Sequence, residues 1–450
     1  MSDPTVRSIE REELLVAETS EGEQELQRRA KTAANELGRE IGAVLRSNDL
    51  HIDPTSIDFD RQDDETMIIN MGPSHPSTHG VLRLMPELDG EYVLRCKPVI
   101  GYLHTGMEKT AEELSYIQGA VNVTRMDYLS PVINELNYSM AVEKLLGIEI
   151  PDRAIWIRMM MSELNRISSH LVWMATNGMD LGSTSMMIYG LRERELILAF
   201  FEKTAGLRMN LNYVRPGGVA ADLPDGWKDD VTVICDTIDE RTYEYDQLLT
   251  GQPIFRERMV GVAPITAEEA LSLSVTGPLL RSTGVAWDLR RTMPYLAYDQ
   301  VEFDVIVGTY GDNFDRYAIR LNEIRESIRI VRQCVEMMPS GDYRSQDPKV
   351  TPPPRARIGE SMEALIHHFK LFTEGFHVPV GEVYSAVESP RGEIGCYLVS
   401  DGGAKPYRLH VRGPSFVNLQ AIPLLMRGGS VSDAITTVST IDPVLGEVDR

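Results

Sequence analysis

The sequence predicts an α+β chain in which helix predominates, a helical bundle with small antiparallel sheets near its N- and C-terminal parts. Three observations carry this prediction. Apolar residues recur at spacings of three and four from 108 to about 338, short apolar runs bounded by turn residues lie before and after that stretch, and no internal repeat or low-complexity tract interrupts the pattern. At 450 residues the chain is long enough for about three domain-sized units, or for one large helical body with insertions.

Residues 1–62 are acidic and weakly periodic, with a helix expected over 23–45 that carries charge on several sides. They read as an extension packed on a partner or partly mobile. Residues 63–101 read as a small β-rich region. Met67-Ile68-Ile69, Val81-Leu82-Arg83-Leu84 and Tyr92-Val93-Leu94-Arg95 are its expected strands, with Asp89-Gly90 as a hairpin turn. His75 and His79 fall in the loop between the first two strands. The helical core is expected over 102–380. Within 151–176, Trp156, Met160, Leu164, Ile167, Leu171 and Met174 form one apolar stripe, with Pro151 as the start residue and Gly178 as the stop. Thr266-Ala267-Glu268-Glu269 is a capping box that opens another helix. Residues 349–357, with Pro352, Pro353 and Pro354, predict an irregular exposed segment. Residues 381–450 return to strands over 383–387 and 395–399, flanking the turn Pro390-Arg391-Gly392, and over 407–411. A short helix from about Ser415 then leads to the final residues.

Charge and cysteine content narrow the function. Lys and Arg total 45 against 67 Asp and Glu, a net charge of -22. Such a field repels phosphate backbones and anionic headgroups, which argues against nucleic-acid binding and against direct electrostatic attachment to a membrane. The first 28 residues lack a cationic start followed by an apolar run, so no secretory signal is expected. Nowhere do 18 consecutive apolar residues occur, so any membrane is expected to come through partners. Cys96, Cys235, Cys334 and Cys396 have no ligand or redox-pair spacing, so an iron-sulfur cluster or zinc held by this chain alone is not expected, and a reducing compartment fits. There is no G-x-G-x-x-G or P-loop motif to cradle a dinucleotide.

Two outlines stand out against this background. The ending Asp442-Pro443-Val444-Leu445-Gly446-Glu447-Val448-Asp449-Arg450 follows D-P-C-x-x-C-x-x-H, with Val444 and Glu447 at the cysteine positions. Upstream, Arg125-Met126-Asp127-Tyr128-Leu129-Ser130 follows R-x-C-G-x-C, with Asp127 and Ser130 in place of the thiolates. A metal held by cysteines at this spacing needs soft sulfur ligands, and an Asp, a Ser, a Val and a Glu supply none. No metal is therefore expected.

Both outlines resemble the large subunits of nickel-iron hydrogenases. Taken with Gly72-Pro73-Ser74-His75-Pro76-Ser77-Thr78-His79-Gly80-Val81-Leu82-Arg83 and Asn177-Gly178-Met179-Asp180, the chain resembles the hydrogenase-derived D-subunit family of respiratory complex I, the proton-pumping NADH:quinone oxidoreductase, from about 63 to 450. The motifs stand in the family's order. One departs: His104-Thr105-Gly106-Met107-Glu108-Lys109 has Thr105 where the family has an arginine near a partner's terminal iron-sulfur cluster.

The resemblance implies a peripheral subunit on the cytoplasmic side of the cell membrane. It would form the quinone-reduction chamber with the partner that carries the terminal tetranuclear iron-sulfur cluster, next to membrane-arm subunits. Electrons would pass from NADH through FMN and iron-sulfur centres in partner subunits to quinone, the substrate, with no cofactor bound by this chain alone. The alternative is a structural scaffold subunit of the same complex without quinone contacts.

Quinone reduction needs proton donors within hydrogen-bond reach of two carbonyl oxygens. Tyr128 stands where the hydrogenase pattern has glycine, so its hydroxyl can project into the vacated metal pocket, and the resemblance implies that it hydrogen-bonds the headgroup. The bland reading is a surface tyrosine. His79, on a loop stiffened by Pro73 and Pro76, is the second donor, and the resemblance implies Asp180 as the carboxylate that raises its pKa and holds one tautomer. His75 lines the pocket or fixes the loop. Asp127, Ser130 and Asp442 are the remaining polar groups of the site, Asp442 either satisfying a turn or acting directly, and Val444 is an apolar wall. Glu163, Arg166 and His170 share a helix face, as a proton relay or as a buried satisfied network. The 21 methionines, Met159-Met160-Met161 and Met186-Met187 among them, fill the core or line a cavity for an isoprenoid tail.

Overall fold

The structure is a computed structural model that describes residues 5–9, 66–74 and 80–450. The helix expected over 23–45 and both His75 and His79 lie outside the described residues. In chain order, the elements that frame the site are β1 (Val6–Ser8), β2 (Met67–Ile68), β3 (Arg83–Asp89), β4 (Tyr92–Val99), α1 (Met107–Glu113), α2 (Tyr116–Val123), α3 (Pro131–Leu146), α4 (Asp152–Asp180) and α5 (Thr184–Ala205). They continue with α6 (Trp227–Tyr245), β5 (Val305–Val307), α7 (Asn313–Met337), β6 (Gly381–Ser389), β7 (Gly392–Ser400), β8 (Arg408–Arg412), α8 (Pro414–Leu419), α9 (Val431–Ile441) and α10 (Leu445–Asp449). Helix predominates and the sheets are small, as the periodicity predicts.

The apolar stripe of α4 is buried along its whole length, from Trp156 to Met174. This helix is also buried on its polar side, which a single stripe did not foretell. Burial of that side is tolerable because its charges are paired. Arg158 meets Glu143 at 2.6 Å. Glu163 receives Arg166 and Arg290 at 3.3 Å and the hydroxyls of Tyr298 and Ser327 at 2.6 and 2.7 Å. His170 Nε2 lies 2.9 Å from Glu323, and burial pushes its pKa down to about 4. Glu163, Arg166 and His170 thus sit in a buried paired network. Met159, Met160, Met161 and Met186 belong to the same core cluster, which supports core filling for these four.

Gly178 does not stop α4, which runs on to Asp180 and is closed by Leu181 and by Gly182 at φ 87°. Its role is spacing: a Cβ on Gly178 would lie 2.7 Å from Met186 Cβ, and one on Gly190 would lie 2.8 Å from the Leu171 carbonyl oxygen. The two glycines let α4 and α5 pack backbone to backbone. Gly190→Ala is expected to destabilise the fold by about 1–3 kcal/mol through overpacking, read as a lower Tm; an unchanged Tm would show that the helices part without cost.

In the first sheet β2, β3 and β4 pair antiparallel, with Met67 opposite Leu88 and Leu84 opposite Pro98, and the chain turns at Asp89-Gly90. β3 begins at Arg83 rather than Val81. The reason is a close crossing, since a Cβ on Gly72 would come within 2.1 Å of the Leu82 carbonyl oxygen. In the second sheet β6 and β7 extend beyond the expected strands, and Ser389 pairs with Gly392, so that Pro390 and Arg391 alone make the turn. The sheet packs Val387, Ile394, Cys396 and Leu398 against Ile133, Tyr138 and Val142 of α3. Thr266 caps its helix as predicted, accepting from the Glu269 N–H. The segment 349–357 is only partly exposed: Val350 and Thr351 are buried, and 355–358 form a short helix. Val350 is drawn inward because it joins the apolar cluster beneath the second sheet.

The end of the chain is tied to a distant loop. The Asp449 carboxylate accepts from the backbone N–H of Gly101 and Leu103 at 2.8 and 2.6 Å, and its carbonyl oxygen lies 2.6 Å from His104 Nδ1.

Candidate functional site

Between α2 and α3 the chain makes a turn whose geometry is set by one aspartate. Asp127 Oδ1 accepts from the N–H groups of Leu129 and Ser130 at 3.1 and 3.2 Å, an Asx-type turn. Its Oδ2 takes the Ser130 hydroxyl and Arg391 Nη1, the latter at 2.9 Å. Asn134, one turn into α3, clasps the carbonyl oxygens of Val123 and Asp127. Tyr128 is presented on this braced turn and is half-buried.

Arg391 comes from the two-residue turn between β6 and β7 and is fully buried. Its Nη1 also reaches Ser169 Oγ at 3.2 Å, its Nε donates to the Asp442 carbonyl oxygen at 3.0 Å, and its Nη2 pairs with Asp442 Oδ2 at 3.0 Å. Burial opposes the guanidinium charge, but Asp127, Asp442 and Glu447 outweigh it and hold the pKa above its ordinary value. Asp442 caps α9 in the left-handed region at φ 58°, a conformation that aspartate tolerates. It therefore serves the turn and faces Arg391 at once. Behind it, Trp173 Nε1 and Asn177 Nδ2 of α4 hold the Ser439 carbonyl and hydroxyl oxygens at 2.7 and 2.9 Å.

The C-terminal helix α10 closes the site. A Cβ on Gly446 would meet the Met126 carbonyl oxygen at 2.5 Å and Tyr128 Cδ1 at 3.4 Å, so glycine is required where α10 presses on the tyrosine turn. Val444 is buried, with its N–H directed to Ser415 Oγ at 3.4 Å. Glu447 is fully buried and accepts the Ser415 hydroxyl. Burial, joined by the charge of Asp127, pushes Glu447 up to about 8. Burial also raises Tyr128 above its ordinary value, opposed by Arg391 and aided by Asp127 and Asp442.

Asp127, Ser130, Asp442, Val444 and Glu447, drawn from two stretches more than 300 residues apart, are thus brought together around one buried guanidinium, with Tyr128 beside it. These residues do not fit a nickel site. Hard oxygens or an apolar side chain replace every thiolate, and Asp127 and Asp442 are engaged with an arginine cation. Among the described residues no cluster of three or more His, Cys, Asp or Glu is placed to hold a metal. Asp180 occupies the last turn of α4, half-buried, one turn beyond Asn177. Thr105 borders an open cleft of about 550 Å³ that it shares with Met107, Gln118, Asn122 and Arg125.

Sequence reasoning missed Arg391, Ser169 and Ser415. Arg391 was in view as a hairpin-turn residue, where arginine is ordinarily solvated. The available signal was charge balance, because Asp127, Asp442 and Glu447 cannot all be buried at one site without a cation beside them.

In fold and site the chain is a helix-rich protein with polar oxygen groups and an arginine where the two hydrogenase-like outlines would have thiolates. Residues 180–450 match the family described as the respiratory-chain NADH dehydrogenase 49 Kd subunit. The chain is 52% identical over 407 residues to the D subunit of NADH-quinone oxidoreductase from Frankia alni, covering 86% of this chain and 87% of that protein. It is 52% identical over 400 residues to the second D subunit of the same enzyme from Koribacter versatilis, covering 89% and 100%, and 53% identical over 389 residues to the second D subunit from a Roseiflexus species, covering 86% and 93%. The chain belongs to the D-subunit family of complex I, NADH-quinone oxidoreductase, and its partners are other subunits of that complex. Among the described residues no helix is long and apolar enough to cross a membrane.

Proposed function

We propose that this subunit forms the quinone-reduction chamber of complex I jointly with the partner that carries the terminal tetranuclear iron-sulfur cluster. The observation that carries the reading is Tyr128 on a turn braced by Asp127 and Arg391, between Asp127 and Ser130, which stand where the related hydrogenase pattern has its cysteine ligands. Electrons originate at NADH and arrive one at a time through FMN and iron-sulfur centres of partner subunits. Tyr128 donates its phenolic proton to one quinone carbonyl oxygen. His79, poised by Asp180, serves the other, with His75 supporting the loop. Asp127, Ser130 and Asp442 hold the polar side of the chamber, and Val444 forms part of its apolar wall. The complex lies with this arm on the cytoplasmic side of the cell membrane, and membrane-arm partners convert quinone reduction into proton translocation.

The pairing of His79 with Asp180 gives a direct test in the assembled complex. His79→Ala and Asp180→Asn are each expected to lower NADH:quinone turnover about tenfold or more, and the double variant to lose less than the product of the two. NADH:ferricyanide turnover, which draws on the flavin upstream, should stay at the wild-type level. Strictly multiplicative losses would show that the two residues act apart, and unaffected quinone turnover in both variants would favour the scaffold reading.

A further inference from the structure

Three carboxyl groups and two guanidinium groups meet at the site. Asp127 and Asp442 pair with Arg391, and Arg320 of α7, stacked 4.3 Å above the Trp173 ring, stands behind Asp442 within its electrostatic reach. Glu447 is the odd group. Its Oε2 has Ser415 as donor through the hydroxyl and, at 3.4 Å, the backbone N–H, while its Oε1 is buried without a hydrogen-bond partner. An ionised carboxylate with one buried oxygen that no protein donor reaches is expensive to bury, and a neutral acid is far less so. With Glu447 neutral, two carboxylates face two guanidinium groups. With it ionised, the cluster of Asp127 and Arg391 that also acts on Tyr128 carries one uncompensated negative charge.

We propose that Glu447 is a positioning residue for quinone reduction, held as the neutral acid so that the cluster around Tyr128 is balanced in charge, and that its ionisation at alkaline pH switches quinone reduction off. The proposal rests on the reading of Tyr128 as proton donor. Its chemistry is loss of one proton from the Glu447 carboxyl to water. The resulting charge raises the proton affinity of Tyr128 and repels the anionic oxygen of a partly reduced quinone. The groups that face Glu447 are Asp127 from the α2–α3 turn, Arg391 from the β6–β7 turn and Ser415 from α8, and Asp127 and Arg391 in turn act on Tyr128. Burial and Asp127 favour its neutral form, and Ser415 and Arg391 oppose them, placing its titration at about 8.

The test uses the assembled complex and follows NADH:quinone turnover against pH, with NADH:ferricyanide turnover as the internal reference. In the wild type the quinone reaction should fall about tenfold for each pH unit above the midpoint, while the ferricyanide reaction does not follow. Glu447→Gln, neutral at every pH, should abolish that alkaline limb. Ser415→Ala removes a donor that favours the ionised form, so it should move the limb to higher pH. A pH-difference infrared spectrum should show a protonated-carboxyl band that is absent in Glu447→Gln. A wild-type limb in Glu447→Gln overturns the proposal; if that variant does not assemble, an unmoved limb in Ser415→Ala overturns it. Loss of quinone turnover in Tyr128→Phe alongside an unmoved limb would defeat the Glu447 proposal alone. Full quinone turnover in Tyr128→Phe would defeat the chamber reading itself, and the infrared band would still report whether Glu447 is held neutral.

Discussion

Replacing Tyr128 by phenylalanine is expected to lower NADH:quinone turnover of the assembled complex by about 10²- to 10⁴-fold, the range a positioned general acid supplies. The change removes one hydroxyl and almost no volume. The turn should survive it, because Asp127, Ser130, Asn134 and Arg391 hold that turn without using the phenol. NADH:ferricyanide turnover should persist at the wild-type level, since it needs neither the quinone nor its donors. Normal assembly with full quinone turnover would sink the assignment and leave the scaffold reading.

Arg391→Met should have the largest effect on stability. It removes the cation that pairs with the buried Asp127 and Asp442 carboxylates and the Nε link to the Asp442 carbonyl oxygen. Breaking a buried pair in this way costs about 3–5 kcal/mol, enough to deplete the assembled complex. The measurements are the yield of assembled complex and its Tm. Arg391→Lys keeps the charge but not the planar fork that spans Asp127, Ser169 and Asp442, so an intermediate loss is expected. A wild-type Tm in Arg391→Met would mean that the two aspartates find another partner.

The sequence made the helical body and the ghost site legible for different reasons. The stripe of α4 and the capping box at Thr266 are local signals, written within a few residues of the structure they specify. Asp127, Ser130, Val444 and Glu447 were visible because they interrupt two recognisable outlines. Arg391 was not, because its role depends on a turn folding inward onto residues 264 positions earlier and 51 later, and no periodicity encodes that meeting. Gly178 misled for a similar reason: a glycine near a helix end and a glycine at a helix crossing look alike until the neighbour is known. The inward face of α4 was hidden by its own charges, whose partners Glu143, Arg290 and Glu323 lie on other elements. Strand β3 began late because of a backbone crossing at Gly72 that side-chain alternation cannot register.

The clasp of Asp449 on Gly101 and Leu103 carries a consequence for the order of events during synthesis. These contacts span 348 and 346 residues, and those of Arg391 with Asp127 span 264. A ribosome delivers the chain from its N-terminus, so the loop at 101–104 and the tyrosine turn emerge long before the residues that fasten them. Until 442–449 have left the exit tunnel, Asp127 and Arg391 lack the rest of their cluster and Gly446 has not yet pressed against the turn. The helical body can collapse on its local contacts first, and the site closes after it. A nascent chain that has not yet delivered 442–449 would therefore be helical and compact, with the tyrosine turn still unfastened.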